Sequence, residues 1–171
     1  MDIAIRPMNE QDWPDVGKIY GQGIATGKAT FQQEIPEYTN WDTSHLPVCR
    51  FVAVSNGKTV GWIALSGVSS RCVYRGVAEV SVYIADTARG RGVGQKLLRH
   101  IIAESEKAGI WMLQSGIMED NPASLRLHEK CGFRKVGFRE RIGRDSAGQW
   151  RSTVLMEKRS ATTGTACATS R

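Results

Sequence analysis

In the stretch "ARGRGVG", Ala88 to Gly94, three glycines and two arginines stand directly before a run that reads as helix. Glycine costs order in a helix or strand, so such a cluster marks a backbone that something must approach closely. Free N–H groups at a helix N-terminus, its partial positive charge and the guanidinium groups of Arg89 and Arg91 suit an anion, and a pyrophosphate is the natural guest. A bland glycine turn is the plainer alternative. The stretch lacks the GK[ST] ending of a P-loop, and no acidic residue is placed for a ribose, so neither nucleotide motif fits well.

The second candidate is Glu79, a carboxylate inside the otherwise β-branched run "VAEVSVYI". A glutamate there can act as general base towards an ammonium group, which must lose a proton before its nitrogen becomes a nucleophile. Burial that raises its pKa would suit the task; the plainer alternative is a glutamate at the sheet surface or paired with Arg75. Strand alternation puts Glu79, Ser81 and Tyr83 on one face and Ala78, Val80, Val82 and Ile84 on the other, with Arg75 joining the first face if the strand extends back that far. Arg71 and Arg75, in "SSRCVYRG", offer the planar fork that grips oxyanions, or are plain surface arginines. His128, in "SLRLHEKCG", is a lone histidine on a helix, a pattern more often structural than catalytic.

These side chains need elements to position them. "IAIRP" reads as a first strand ended by Pro7, and "EQDWPDVGKIYGQGIA" as a helix with Trp13, Val16, Ile19, Tyr20 and Ile24 at helical spacing and Pro14 in its first turn. "GKATFQQEIP" has no period and reads as loop; "EYTNWDTSHL" predicts a short helix ending before Pro47. "RFVAVSNGKTVGWIALS" predicts a hairpin around Asn56-Gly57, and "KVGFRERIG" with "RSTVLMEK" a second one around "RDSAGQ". Between them the pattern predicts the Glu79 strand, a helix from about Gly92 to Ala108 stopped by Gly109, the strand "WMLQSGIM", and a short helix opened by Asn121-Pro122 and closed by Gly132. The order is β α α β β β α β α β β.

Length and composition set limits. A chain of 171 residues, 41% hydrophobic and 23% charged, fits one domain with one core, assigned to residues 1–159, and a structureless tail of small polar residues over 160–171. The net charge of +6 is spread along the chain and interleaved with acids, which speaks against a nucleic-acid-binding stripe. Cys49, Cys72, Cys131 and Cys167 form no CxxC pair and no metal-ligand spacing with His, so they read as reduced structural thiols and no metal is expected. The start "MDIAIRPMNEQDW" has no apolar stretch like a secretory signal and no window reads as a membrane span, so a reducing cytoplasm is the expected address and no membrane partner is expected.

The glycine loop resembles the acetyl-CoA pyrophosphate loop of the GNAT acetyltransferase superfamily, whose pattern is Arg or Gln, two residues, Gly, one residue, Gly or Ala. Arg89, Gly92 and Gly94 fill those places after "VSVYIADTA". The resemblance spans roughly Ile3 to Lys158, and the element order matches that fold. Within the superfamily, "RGVAEVSVYI", "NPASLRLHEKCGF" and "GQW" are similar to the phosphinothricin N-acetyltransferase branch, and most of all to the arsinothricin N-acetyltransferases. It implies an α/β (α+β) GNAT fold with a mixed, mostly antiparallel central sheet flanked by helices. It also implies detoxification of a glutamate-mimicking antibiotic by acetylation of its α-amino group, with acetyl-CoA as co-substrate.

Residue by residue, the resemblance implies Glu79 as base, with His128 assisting or contacting substrate. It places acetyl-CoA on Val82, Tyr83 and Ile84, on Arg89, Gly90, Arg91, Gly92, Val93, Gly94 and Gln95, and on Asn121 and Ser124. The plainer role for these last two is capping the short helix. A doubly anionic amino acid would meet Phe31, Arg71, Tyr74, Arg75, Ser81 and Tyr83, and the active unit would be a homodimer. Ser69 and Val80 depart from the branch, which carries lysine or, in methionine-sulfone relatives, histidine at those places. The rival readings are acetylation of methionine sulfoximine or sulfone, acetylation of a protein N-terminus or lysine, and a silent acyl-CoA sensor that would not need Glu79.

Overall fold

In a computed structural model, which describes residues 2–165, the chain forms a seven-stranded sheet with helices on both faces. The strands are β1 (Ala4–Pro7), β2 (Phe51–Ser55), β3 (Lys58–Gly67), β4 (Val77–Ile84), β5 (Met112–Met118), β6 (Arg134–Arg144) and β7 (Trp150–Arg159). The helices are α1 (Trp13–Ala25), α2 (Tyr38–Ser44), α3 (Val93–Lys107) and α4 (Pro122–Lys130). The element order is the one expected, with short 3-10 turns added at Glu10–Asp12, Cys72–Tyr74 and Asp86–Ala88. The sheet order is β1-β2-β3-β4-β5-β7-β6, and every neighbouring pair is antiparallel except β4 with β5.

Local chemistry explains the boundaries. Asn56 and Gly57 take φ of 49° and 75°, the left-handed pair that a two-residue hairpin turn needs. Asn121 caps α4 by accepting from the Ser124 N–H at 3.2 Å, with Pro122 next in its first turn. Alternation in β3 then assigns the layers: Gly61 faces Ile84 and Leu97 of α3, whereas Trp62 faces Tyr20 of α1 and Trp41 of α2. A core of fully buried side chains fills both layers, including Trp41, Trp62, Ile63, Leu65, Leu97, Leu98 and Ile101.

One irregularity of the sheet matters for everything that follows. β3 pairs with β4 from Gly67↔Ala78 to Gly61↔Ile84, all of β4 except Val77. β5 pairs with β7 along its whole length, from Met112↔Arg159 to Met118↔Thr153. β4 and β5 pair with each other only over Val77↔Met112, Ala78↔Leu113 and Glu79↔Gln114. The parallel pair is anchored at Gly76, whose carbonyl accepts from both Trp111 and Met112 at 2.8 and 3.0 Å. A side chain at 76 would lie 2.0 Å from the Trp111 ring, so only glycine permits this approach. Beyond Glu79 each strand follows its other partner, and the sheet splits.

Residues 160–165, assigned above to a structureless tail, are tied to α3 and to Trp111 just before β5. Ser160 Oγ donates to Glu106 Oε1 at 2.6 Å, and Thr163 Oγ1 donates to the Glu106 carbonyl at 3.0 Å. The Arg159 guanidinium donates to the carbonyls of Trp111, Thr163 and Gly164. A run without hydrophobic period is ordered here by side-chain to backbone hydrogen bonds, which leave no periodic signal. Residues 166–171 lie outside the described residues, and so does Cys167; Cys49, Cys72 and Cys131 are free thiols. Among the described residues no helix is long and apolar enough to cross a membrane, and no cluster of His, Cys, Asp and Glu could hold a metal ion.

Candidate active site

The split between β4 and β5 opens a cleft of about 310 Å³ lined by residues 79–83 of β4 and 115–118 of β5. That volume is of the order of a small-molecule site. Tyr20 of α1, the loop residues 28–32 and Thr153 of β7 complete the wall on one side, and Asn121, Ser124 and His128 line it from α4. The Glu79, Ser81 and Tyr83 positions therefore meet the α4 side chains through a gap in the sheet.

Glu79 stands at the last paired residue before the split. It is exposed rather than buried, because the divergence of the strands removes the neighbour that would cover it. Its carboxylate accepts from Gln114 Nε2 at 3.3 Å, across the final rung of the parallel pair. Pairing with Arg75 is not what the structure shows: β4 begins at Val77, and Arg75 ends the 3-10 turn before it.

His128 is 1% exposed and packs edge-on to Phe133 at 5.0 Å. Its Nδ1 lies 2.8 Å from the Ser124 carbonyl, which can only accept, so Nδ1 carries the proton and Nε2 is left with its lone pair. Nε2 is buried without a hydrogen-bond partner, and the residue lines the cleft. Burial pushes the imidazole pKa below its ordinary value, partly offset by the Ser124 carbonyl. The side chain is thus a neutral proton acceptor held in one tautomer.

Tyr83 stacks on Trp62 with centroids 4.8 Å apart and tilts against Tyr20 at 4.8 Å. Burial pushes both phenols upward, so they stay protonated as donors. Gly23 of α1 makes room for the ring, since a methyl there would come within 2.5 Å of it. Ile84 faces the other layer, beside Gly94.

The glycine loop takes the shape its composition predicts. Gly90 and Gly92 have φ of 73° and 79°, with nothing within 4 Å of where a side chain would start. Gly92 is the N-cap of α3, and no side chain bonds the free N–H groups of the first turn. Arg89 and Arg91 are exposed, Arg89 pairing with Asp86 at 2.8 Å. Val93 is buried in the core, Gln95 is half-buried, and Gly94 serves packing: a methyl there would lie 3.0 Å from Leu127 of α4.

The cleft does not collect every expected residue. Phe31 lines it and lies on Gly143 of β6, where a methyl would come within 2.9 Å of the ring. Arg71, Tyr74 and Arg75 do not line it; they stand exposed on the β3–β4 connection, with the Arg71 guanidinium 5.7 Å above the Tyr74 ring. The 3-10 turn at Cys72–Tyr74 holds this segment before the start of β4, away from the split. Lys28, not singled out from the sequence, lines the cleft instead, and two further residues support its lining: Gln114 bonds Glu79, and Arg151 bonds the Gly27 carbonyl. Gln114 could have been found as the one polar side chain among the apolar residues of "WMLQSGIM" that falls level with Glu79.

Residues 9–133 match the Acetyltransferase (GNAT) family. The chain is 35% identical over 162 residues to a phosphinothricin N-acetyltransferase of Alcaligenes faecalis, covering 91% of this chain and 81% of that protein. This chain belongs to the GNAT acetyltransferase family. Another relative of this GNAT enzyme is an L-methionine sulfoximine/L-methionine sulfone acetyltransferase of Salmonella typhimurium, 31% identical over 160 residues, with 91% and 93% of the two chains covered. Its fold is shared with a GNAT superfamily phosphinothricin acetyltransferase from Sinorhizobium meliloti, solved in complex with AcCoA. The TM-score is 0.87 at 24% identity, covering 98% of this chain and 93% of that one.

Proposed function

We propose that this GNAT acetyltransferase moves the acetyl group of acetyl-CoA to the α-amino group of a small anionic amino acid of the arsinothricin or phosphinothricin type, detoxifying it. The observation that carries the reading is that His128, whose buried Nε2 has no protein partner, lines the same cleft as Glu79. A buried acceptor without a protein partner can take a hydrogen bond from a substrate amine.

The residues present suit the co-substrate. The open cradle of Gly90 and Gly92, the uncapped N-terminus of α3 and the nearby Arg89 and Arg91 would hold a diphosphate. The main chain of Val82 to Ile84, on the part of β4 that β5 leaves unpaired, would hold an extended amide-bearing arm, with Asn121 and Ser124 across the cleft. Bound there, acetyl-CoA supplies a thioester carbonyl as the electrophile.

Glu79, exposed to solvent and steadied by Gln114, takes the ammonium proton and passes it to water. His128 accepts a hydrogen bond from the amine at Nε2 and orients its lone pair. The Tyr20 and Tyr83 rings wall the cleft against water on the α1 side. Among the described residues no cysteine lines the cleft, which supports direct transfer without an acyl-enzyme.

A homodimer is part of the proposal. β6 is an edge strand exposed along almost its whole length, carrying Val136, Phe138 and Ile142, with Trp150 beside it on β7. Such an edge is a ready template for a second copy.

The test is release of coenzyme A from acetyl-CoA in the presence of L-phosphinothricin, arsinothricin, L-methionine sulfoximine or an N-terminal peptide, with Glu79→Gln beside the wild type. Turnover on the amino acids is expected to fall by roughly 10² to 10⁴ in the variant while acetyl-CoA affinity holds. Turnover of the peptide alone, or an undiminished variant, overturns the proposal.

A further inference from the structure

The cleft is lined by one cationic residue, Lys28, and one carboxylate, Glu79, among the described residues. The two arginines expected to select the substrate stand outside it. Lys28 belongs to the loop between α1 and α2, which has no regular structure, yet its main chain is pinned carbonyl by carbonyl. Arg151 Nη1 of β7 donates to the Gly27 carbonyl at 2.8 Å, Asn121 Nδ2 at the head of α4 donates to the Lys28 carbonyl at 3.1 Å, and Tyr83 Oη of β4 donates to the Ala29 carbonyl at 3.5 Å. The Lys28 N–H donates to Thr26 Oγ1 at 3.1 Å, and Gly27 supplies the left-handed turn at φ 64°. Arg151 is itself held by both oxygens of Asp120, at 2.8 and 3.0 Å. Phe31 on Gly143 clamps the far end.

A surface loop held from three different elements is held for a purpose, and none of these bonds uses the Lys28 ammonium. Among the described residues that group has no carboxylate partner. Asn121, which grips the Lys28 carbonyl, opens α4, and His128 lies seven residues further on, about 10 Å along the helix axis. The cleft is therefore lined by a buried proton acceptor, His128, and by a lysine without a carboxylate partner among the described residues.

We propose that Lys28 binds the charged far end of the substrate's side chain and sets a preference for an anionic group there over a neutral one of the same shape. This rests on the amino-acid acetylation reading above. It assigns a part in substrate selection to a loop that Asn121, Tyr83 and Arg151 position.

L-Phosphinothricin and L-methionine sulfone make the test, because they differ mainly in replacing an anionic methylphosphinate by a neutral methylsulfone. The ratio of kcat/KM for the first over the second is measured in the wild type, Lys28→Met and Lys28→Arg. A hydrogen bond to a charged group predicts that the ratio falls roughly ten- to a hundredfold in Lys28→Met, through KM for phosphinothricin, and that Lys28→Arg recovers most of it. Added salt should lower the ratio in the wild type and leave Lys28→Met flat, which loss of a merely structural contact would not produce. Lys28 is exposed, so both variants should fold. An unchanged ratio, with both substrates turned over, overturns the role of Lys28 and leaves the acetylation reading intact. A wild type that turns over neither amino acid overturns both.

Discussion

Replacing His128 by Gln tests whether this imidazole is held neutral. The side chain is buried, donates from Nδ1 to the Ser124 carbonyl and packs edge-on to Phe133. Losing one neutral hydrogen bond and one aromatic pair should cost about 1 to 3 kcal/mol at pH 8. The pH dependence discriminates further. An imidazole whose folded-state pKa lies below its unfolded value binds its proton first in the unfolded chain. The wild type therefore has its full stability above about pH 6.5 and loses it as pH falls toward the folded-state value. One proton changes stability by at most about 1.4 kcal/mol per pH unit, so by pH 5 the wild type should have lost up to about 2 kcal/mol that the variant keeps. His45, also depressed by burial, adds the same slope to both proteins and cancels in the difference. Urea unfolding followed by tryptophan fluorescence at pH 8, 6.5 and 5 should show the gap between the two narrowing or closing. A gap that stays constant would mean that His128 takes up its proton in the folded state as readily as in the unfolded one, and the assignment of Nε2 as a standing acceptor would fail.

Gly92→Ala puts a methyl at φ 79° in open space, so its stability cost should be confined to roughly 1 to 2 kcal/mol of backbone strain, while KM for acetyl-CoA rises at least tenfold with little change in KM for the amine; initial rates at varied acetyl-CoA decide it, and an unchanged KM refutes the cradle. Gly23→Ala gains about 1 kcal/mol of helix propensity but drives a methyl to within 2.5 Å of Tyr83, whose ring is confined by Trp62 and Tyr20. Overpacking of about 1 to 3 kcal/mol should win, and calorimetry should show Tm lowered by a few degrees; a raised Tm would show that the ring yields. Phe138→Lys on β6 should convert a dimer into a monomer in sedimentation equilibrium, and a wild type that is already monomeric removes the homodimer from the proposed function.

Features set by neighbouring residues were legible in the chain. The Asn56-Gly57 hairpin, the Asn121-Pro122 start of α4 and the glycine cradle before α3 all follow from local backbone preference and stand where the sequence places them. The alternation in "VAEVSVYI" likewise assigned Tyr83 and Ile84 to opposite layers. What stayed hidden depends on contacts distant in sequence. Asn121 reaches Lys28 across 93 positions, and Arg151 reaches Gly27 across 124. Neither a loop without period nor an arginine in a hairpin announces such a partner. Arg71 and Arg75 match a sequence pattern, and in this chain they flank the 3-10 turn at Cys72–Tyr74 outside the cleft, a placement that the pattern does not specify.

The position of the cleft follows from an imbalance in strand pairing. β5 shares three register positions with β4 and its whole length with β7, so once the pair passes Glu79 and Gln114 the antiparallel partner decides its path. The divergence leaves one edge of β4 without a neighbour from Val80 onward, and that same strand leads through a short turn into the glycine cradle of α3. A ligand lying along the free edge with its anionic end in the cradle therefore has its other end directed back toward Glu79. Glu79, the free strand edge and the glycine cradle are thus ordered by one chain segment, residues 79–95. The opposite wall of the cleft, where the proposed amino acid would lie, is in contrast assembled from β7, α4 and a pinned loop. If Lys28 has the role proposed for it, this division would let selectivity change there without altering residues 79–95.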